Sequence, residues 1–245
     1  MRKQRHALAL ALLGPASLAV LGAPPAAAQL SAGYYAGKTV KLIIGLGAGG
    51  GYDLWGRTVA RHIGRHLPGN PTVIAQNLEG AGSFRAATYL YAQAPKDGTV
   101  MALLSRDFSL GPITRTSGAQ FDPTKFSWLG TTTTETNVCM SYKTAAVKTV
   151  RDLFERELLV GDNGAGTGTG NYPKALNALL GLKFKIIRGY AASVDVVLAM
   201  ERGEVEGYCE SLESVFGKRP DWIATKTVNI LFQGGLPYTL SRLSQ

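Results

Sequence analysis

A short apolar run, Leu42-Ile43-Ile44, leads into Gly45-Leu46-Gly47-Ala48-Gly49-Gly50-Gly51, and Asp53 follows at once. Behind it Trp55, Val59, Ile63 and Leu67 recur at four-residue spacing. The pattern predicts a strand covered on both faces, a tight turn and an amphipathic helix capped by Asp53. Glycines bring backbone N–H groups close to whatever lies above such a turn, and the helix dipole points its positive end there. The place suits an anion.

The turn also spells Gly45-x-Gly47-x-x-Gly50, the dinucleotide fingerprint. That fingerprint requires an acidic residue at the end of the next strand. The next candidate strand, 72–75, runs into Gln76 and Asn77, and Glu79 sits in a glycine turn. The start of the chain argues the same way. Arg2, Lys3 and Arg5 precede an apolar run at 7–21, and Ala26-Ala27-Ala28 offers a small-residue cleavage site. This predicts a signal peptide over 1–28, a mature chain from Gln29 and a periplasmic location. An exported protein meets little NAD or ATP, so a different anion is favoured.

The formal net charge is +9, with three of the bases in the leader, and the remaining bases are scattered. Nucleic-acid binders carry clustered patches, so that class is excluded, while a mild positive field favours anionic ligands. The two cysteines, Cys139 and Cys209, lie in no metal-ligand spacing. They are read either as buried thiols in separate strands or as a disulfide formed in an oxidising compartment.

Strand and helix patterns alternate along the chain. Strands are expected at 38–44, 72–75, 99–104, 137–142, 158–160, 183–187, 205–209 and 228–232. Helices are expected at 53–66, at 84–92 capped by Ser83, at 150–156 capped by Thr149, at 172–180 and at 194–202. A second glycine loop spans 77–83 and a third spans 161–170. Ends of parallel strands gather on one edge, which puts Ser105, Arg106 and Tyr190 beside the glycine turns, with Arg106 facing either a carboxylate or solvent. Two βαβ blocks, each opening on a glycine turn, suit two α/β domains facing across a cleft.

Catalytic constellations are missing. There is no Gly-x-Ser-x-Gly elbow and no H-E-x-x-H. His62 and His66 stand four apart, but Arg57, Arg61 and Arg65 surround them, which predicts a solvated basic helix end and no metal site. No cofactor is expected.

From about residue 34 to 232 the chain resembles the tripartite tricarboxylate transporter receptors, the TctC or Bug family of periplasmic solute-binding proteins. The family's P-x-x-G-G-x-x-D-like turn stands here as Gly47-Ala48-Gly49-Gly50-Gly51-Tyr52-Asp53, with Gly47 in place of proline. Its N-R-P-G-A-G-G stretch appears as Asn77-Leu78-Glu79-Gly80-Ala81-Gly82-Ser83, and its P-x-D-G turn as Pro95-Lys96-Asp97-Gly98. Its second-domain loop appears as Gly161-Asp162-Asn163-Gly164-Ala165-Gly166-Thr167, and its G-x-V-D signature as Gly203-Glu204-Val205-Glu206.

The resemblance implies an α/β fold, a type II-like periplasmic-binding-protein clamshell in which each domain is a βα-sheet sandwich. Domain 1 is expected over 29–138 with 226–245 returning to it, and domain 2 over 139–225. The helices that complete domain 1 in the family have no counterpart after 232. The implied ligand is a small carboxylate, with no catalysis. Its implied contacts are Gly47, Ala48, Gly49, Tyr52 and Asp53 from one side and Gly164, Ala165, Gly166 and Thr167 from the other, mainly through backbone amides. Gly50, Ser105, Arg106 and Tyr190 complete the candidate set. The implied partners are the membrane subunits of a tripartite transporter, with the receptor itself a monomer. Alternatives are an exported sensor of the same fold and a dinucleotide enzyme built on the first turn.

Overall fold

The computed structural model describes residues 33–234. The expected leader, its cleavage site and the tail beyond Gly234 lie outside the described residues.

The first lobe is built on a parallel three-stranded sheet in the order β2-β1-β3. It comprises β1 (Thr39–Ile44), α1 (Gly51–Ile63), β2 (Thr72–Asn77), α2 (Phe84–Ala92) and β3 (Val100–Leu103), followed by the short α3 (Leu110–Ile113). Val40, Leu42, Ile43 and Ile44 are buried, as a strand in the middle of a sheet demands. The irregular stretch after α3 folds back on α2, and Phe84, Phe108 and Phe121 form a separate aromatic core there.

The second lobe holds a mixed five-stranded sheet in the order β6-β5-β7-β4-β8. Its strands are β4 (Asn137–Tyr142), β5 (Leu158–Asp162), β6 (Phe184–Arg188), β7 (Gly207–Ser211) and β8 (Val228–Gly234). Its helices are α4 (Gly168–Leu180), α5 (Ser193–Arg202), α6 (Leu212–Lys218) and α7 (Asp221–Ala224). The period-2 alternation of β4 divides two cores. Val138 and Met140 pack with α5, α6 and Trp222, while Cys139 faces Leu158, Val160 and Leu176 on the other side. Cys139 stands opposite Cys209 in the antiparallel β4–β7 register, and the two form a disulfide. The open choice between thiols and a bridge is thereby settled.

Several expectations are corrected. β8 pairs antiparallel with β4, so residues 228–234 complete the second sheet and do not return to the first lobe. α1 gives way to a 3-10 turn at Gly64–His66, and the helix expected at 150–156 is only a 3-10 turn, Asp152–Phe154. β5 runs on through Gly161 and Asp162, and α4 begins inside the third glycine loop, at Gly168. β7 lies two residues later than its apolar pattern suggested, because Glu210 and Ser211 remain paired with β4. Among the described residues no helix is long and apolar enough to cross a membrane.

Candidate functional site

The first glycine turn is held from within. The cap residue of α1 is Gly50, and Asp53 sits in the first helical turn instead. Its Oδ2 accepts from Gly49 N at 3.0 Å and from Arg57 Nε at 3.0 Å, and its Oδ1 accepts from Asn77 Nδ2 at 2.9 Å. Burial raises the Asp53 pKa, but the bonds from Arg57, Gly49 and Asn77 outweigh it and hold the carboxyl below the usual range. Asp53 is thus a structural anchor of the turn, corrected from its expected capping role. Asn77 ends β2, where a dinucleotide enzyme would hold its ribose acid, and it also donates to Leu46 O at 2.8 Å.

Ser83 likewise makes no capping bond to α2. It has a left-handed backbone, φ 79°, and its Oγ accepts from Ser105 N at 2.9 Å, tying the second glycine loop to the end of β3. The third loop is organised by Asp162, whose Oδ1 accepts from Gly164 N at 3.0 Å and from the hydroxyls of Thr167 and Thr169.

The two lobes meet along these loops. Gly47 N donates to Ala191 O at 3.4 Å, and Gly166 N donates to Ala81 O at 3.2 Å. Ala165 packs on the aromatic core of the first lobe. The amides of Gly47, Gly49, Gly164 and Gly166 are therefore all engaged, two of them across the cleft. Ala48 and Gly49 are exposed, and Gly50 lies against Ser193 of the second lobe. The expected cradle of free amides is not what the present arrangement offers.

What the lobes enclose instead is a side-chain site. A small inner cavity of about 10 Å³ is lined by Tyr52, Ser105 and Arg106 from the first lobe and by Thr167, Thr169 and Glu210 from the second. It has room for about one water-sized group. Asn163 lines it too, and also lines an outer cavity of about 300 Å³ bounded by Glu79, Tyr190 and Ala191. The structure thus places Tyr52, Ser105, Arg106 and Thr167 at the inner cavity and Gly164 and Tyr190 at the outer one. Gly47, Ala48, Gly49, Gly50, Asp53, Ala165 and Gly166 line neither.

Arg106 is the pivot. Its Nη1 donates to Glu135 and its Nη2 to Asn137 Oδ1 at 2.5 Å, while its backbone N–H donates to Tyr52 Oη at 3.1 Å. Arg106 Nε and Ser105 Oγ are buried without a hydrogen-bond partner. Burial works against the Arg106 charge, but Tyr52, Glu135 and Glu210 outweigh it and raise its pKa. Burial pushes the Tyr52 phenol up to about 12. It also raises the carboxyls of Asp107 and Glu135, against the pull of Arg106.

Opposite stands Glu210, which accepts from Tyr208 Oη at 2.5 Å and from Ser211 N at 2.8 Å. Lys218 lies behind it and donates from Nζ to Ser193 Oγ at 2.9 Å and to Ser214 Oγ. Burial lowers the Lys218 pKa, with Glu210 and Glu135 opposing. Glu135, Glu210 and Lys218 are site residues that the sequence reading missed. The available signal was an acidic residue, Glu210, directly after the strand expected at 205–209. Lys218 had none. No group of three or more His, Cys, Asp or Glu is arranged to hold a metal ion among the described residues.

No family model and no curated protein matches this chain. Solved structures do. The R. palustris protein Rpa4515 with adipate is 19% identical with a TM-score of 0.66, over 81% of this chain and 66% of that one. The periplasmic binding protein BugD is 19% identical with a TM-score of 0.66, over 82% of this chain and 66% of that one. MatC from Rhodopseudomonas palustris with bound malate is 17% identical with a TM-score of 0.69, over 81% and 67%. The chain thus spans 66% of the length of the first two structures. Likeness of this degree shows the fold, and the chain has the type II periplasmic-binding-protein fold.

Proposed function

We propose that this protein is a periplasmic solute receptor, not an enzyme, which captures a small organic carboxylate and delivers it, as a monomer, to the membrane subunits of a tripartite tricarboxylate transporter. One observation carries the reading. Ser105 Oγ and Arg106 Nε are buried without partners at a cavity between the lobes. Buried polar groups are rarely left so, and a carboxylate oxygen satisfies both, with a charge-assisted bond to the guanidinium. The position, just beyond the carboxyl end of β3, is where open α/β sheets take ligands.

Two further facts support it. Among the similar structures, Rpa4515 is seen with adipate and MatC with bound malate. The Cys139–Cys209 disulfide fits an oxidising compartment. Ligand entry requires the lobes to part, and parting frees the amides of Gly47 and Gly166, so the backbone donors expected from the sequence join the site in that state.

A thermal-shift and calorimetric screen of the purified protein tests the reading, with mono-, di- and tricarboxylates including adipate and malate, and with NADH and ATP as controls. Saturable binding of a carboxylate, absent for both nucleotides, is the expected result. Tight binding of NADH with no response to any carboxylate overturns it.

A further inference from the structure

Acidic side chains outnumber basic ones around the inner cavity. Arg106 and Lys218 are the cations. Against them stand Asp107, Glu135 and Glu210, each felt electrostatically by Arg106, and Glu213, which is felt by Glu135. Arg106 already serves Glu135. Lys218 donates to two serine hydroxyls, not to a carboxylate. A simple dicarboxylate would bring further acids to a buried place where acidic side chains already outnumber basic ones, and it offers no donor to Glu210; a buried charge without a partner is costly.

The excess is also arranged with polarity. The unpartnered donors, Ser105 Oγ and Arg106 Nε, come from the first lobe. The carboxylate of Glu210 comes from the second and lines the same cavity. Each Glu210 oxygen accepts one hydrogen bond, from Tyr208 or from Ser211, and an ionised carboxylate oxygen has capacity for another. A group that is negative on one side and positive on the other bridges the lobes there.

We infer that the ligand is a zwitterion, an α-amino acid or a related amino carboxylate, its carboxylate held by Arg106 Nε and Ser105 Oγ and its ammonium by Glu210. This rests on the receptor reading above and narrows its ligand class. The rest of the ligand extends past Asn163, which lines both cavities, into the outer one of about 300 Å³ beside Tyr190 and Glu79. The inner cavity, about 10 Å³, admits the head group only as the lobes part and close again around it.

Calorimetry with matched pairs tests this: aspartate against succinate, glutamate against glutarate, 2-aminoadipate against adipate, together with the remaining common amino acids and their N-acetyl derivatives. The expected result is an amino compound that binds at least about tenfold tighter than both its des-amino partner and its N-acetyl form. Glu210→Gln, checked for an unchanged melting profile, is expected to bring that ratio close to one. The N-acetyl comparison uses the unmutated protein and stands even where the variant fails to fold. If every des-amino acid binds as tightly as its amino partner, the inference falls while the carboxylate receptor stands. If neither set binds, both fall.

Discussion

Gly82 and Gly166 touch backbone to backbone across the two lobes. A Cβ built on Gly166 would lie 2.3 Å from Gly82 O and 2.6 Å from Phe84 Cε1, both in the first lobe. Gly166 does not have a positive φ, so its backbone admits a side chain. The steric requirement at this position therefore comes from the lobe contact and not from the loop itself.

Gly166→Ala should leave each lobe folded and hold them apart. We expect scattering to report a larger radius of gyration with ligand than the unmutated protein shows, and affinity to fall at least about tenfold. Gly49 is the contrast. Its φ is +78°, but a Cβ there would meet only Val194 Cγ1, at 3.5 Å. Gly49→Ala should cost about 1–2 kcal/mol of stability from the left-handed backbone and leave affinity nearly unchanged. Equal losses of affinity in both variants would contradict this division.

The Cys139–Cys209 bridge closes a loop with a sequence separation of 70 inside the core that holds Leu158 and Leu176. Loop-closure entropy alone predicts a contribution of about 4 kcal/mol. Cys139→Ala/Cys209→Ala should lower the denaturation midpoint accordingly. Alkylation of the exported protein in denaturant without reductant should add no mass, and two adducts there would count against the bridge.

These cases show what the sequence could and could not reveal. The alternation Val138-Cys139-Met140 and the run Leu42-Ile43-Ile44 report burial directly, so the strands, the three glycine loops and the two-lobed plan were legible. The loop amides were misjudged because a glycine pattern does not say which acceptor each N–H meets. Gly49 N meets Asp53, and Gly166 N meets Ala81 O in the other lobe. Glu135, Glu210 and Lys218 converge only in three dimensions, and no local period marks them. β8 was misplaced because an apolar strand carries no label for the sheet it joins.

Asp53 joins the first turn, α1 and β2 through Gly49, Arg57 and Asn77. Its folded pKa lies below the ordinary value of about 3.9, so ionised Asp53 stabilises the fold above that pH. The contribution is lost as pH falls through the depressed folded value. Asp53→Asn should cost about 1–3 kcal/mol at neutral pH and flatten the acid limb of the stability profile below about pH 4. An unchanged acid limb would show that the carboxylate does not carry this role.

Arg106 has two separable duties, and its variants should divide them. Its Nη groups neutralise Glu135 and bind Asn137, whereas Nε faces no protein acceptor. Arg106→Leu removes both duties and strands Glu135, whose pKa burial already raises. An acid with a raised folded pKa favours folding below its unfolded value and opposes it as pH climbs through the folded one. Arg106→Leu should therefore lose about 3–5 kcal/mol at pH 7 and recover part of it as the pH is lowered toward the usual glutamate range. Adding Glu135→Gln should restore stability at neutral pH without restoring ligand binding. Arg106→Lys keeps a charge beside Glu135 but lacks the planar fork, so stability should largely survive while affinity falls. Calorimetry and denaturant melts on the three variants separate the two quantities. If the Arg106→Leu/Glu135→Gln protein is stable and binds normally, Arg106 is a structural residue only.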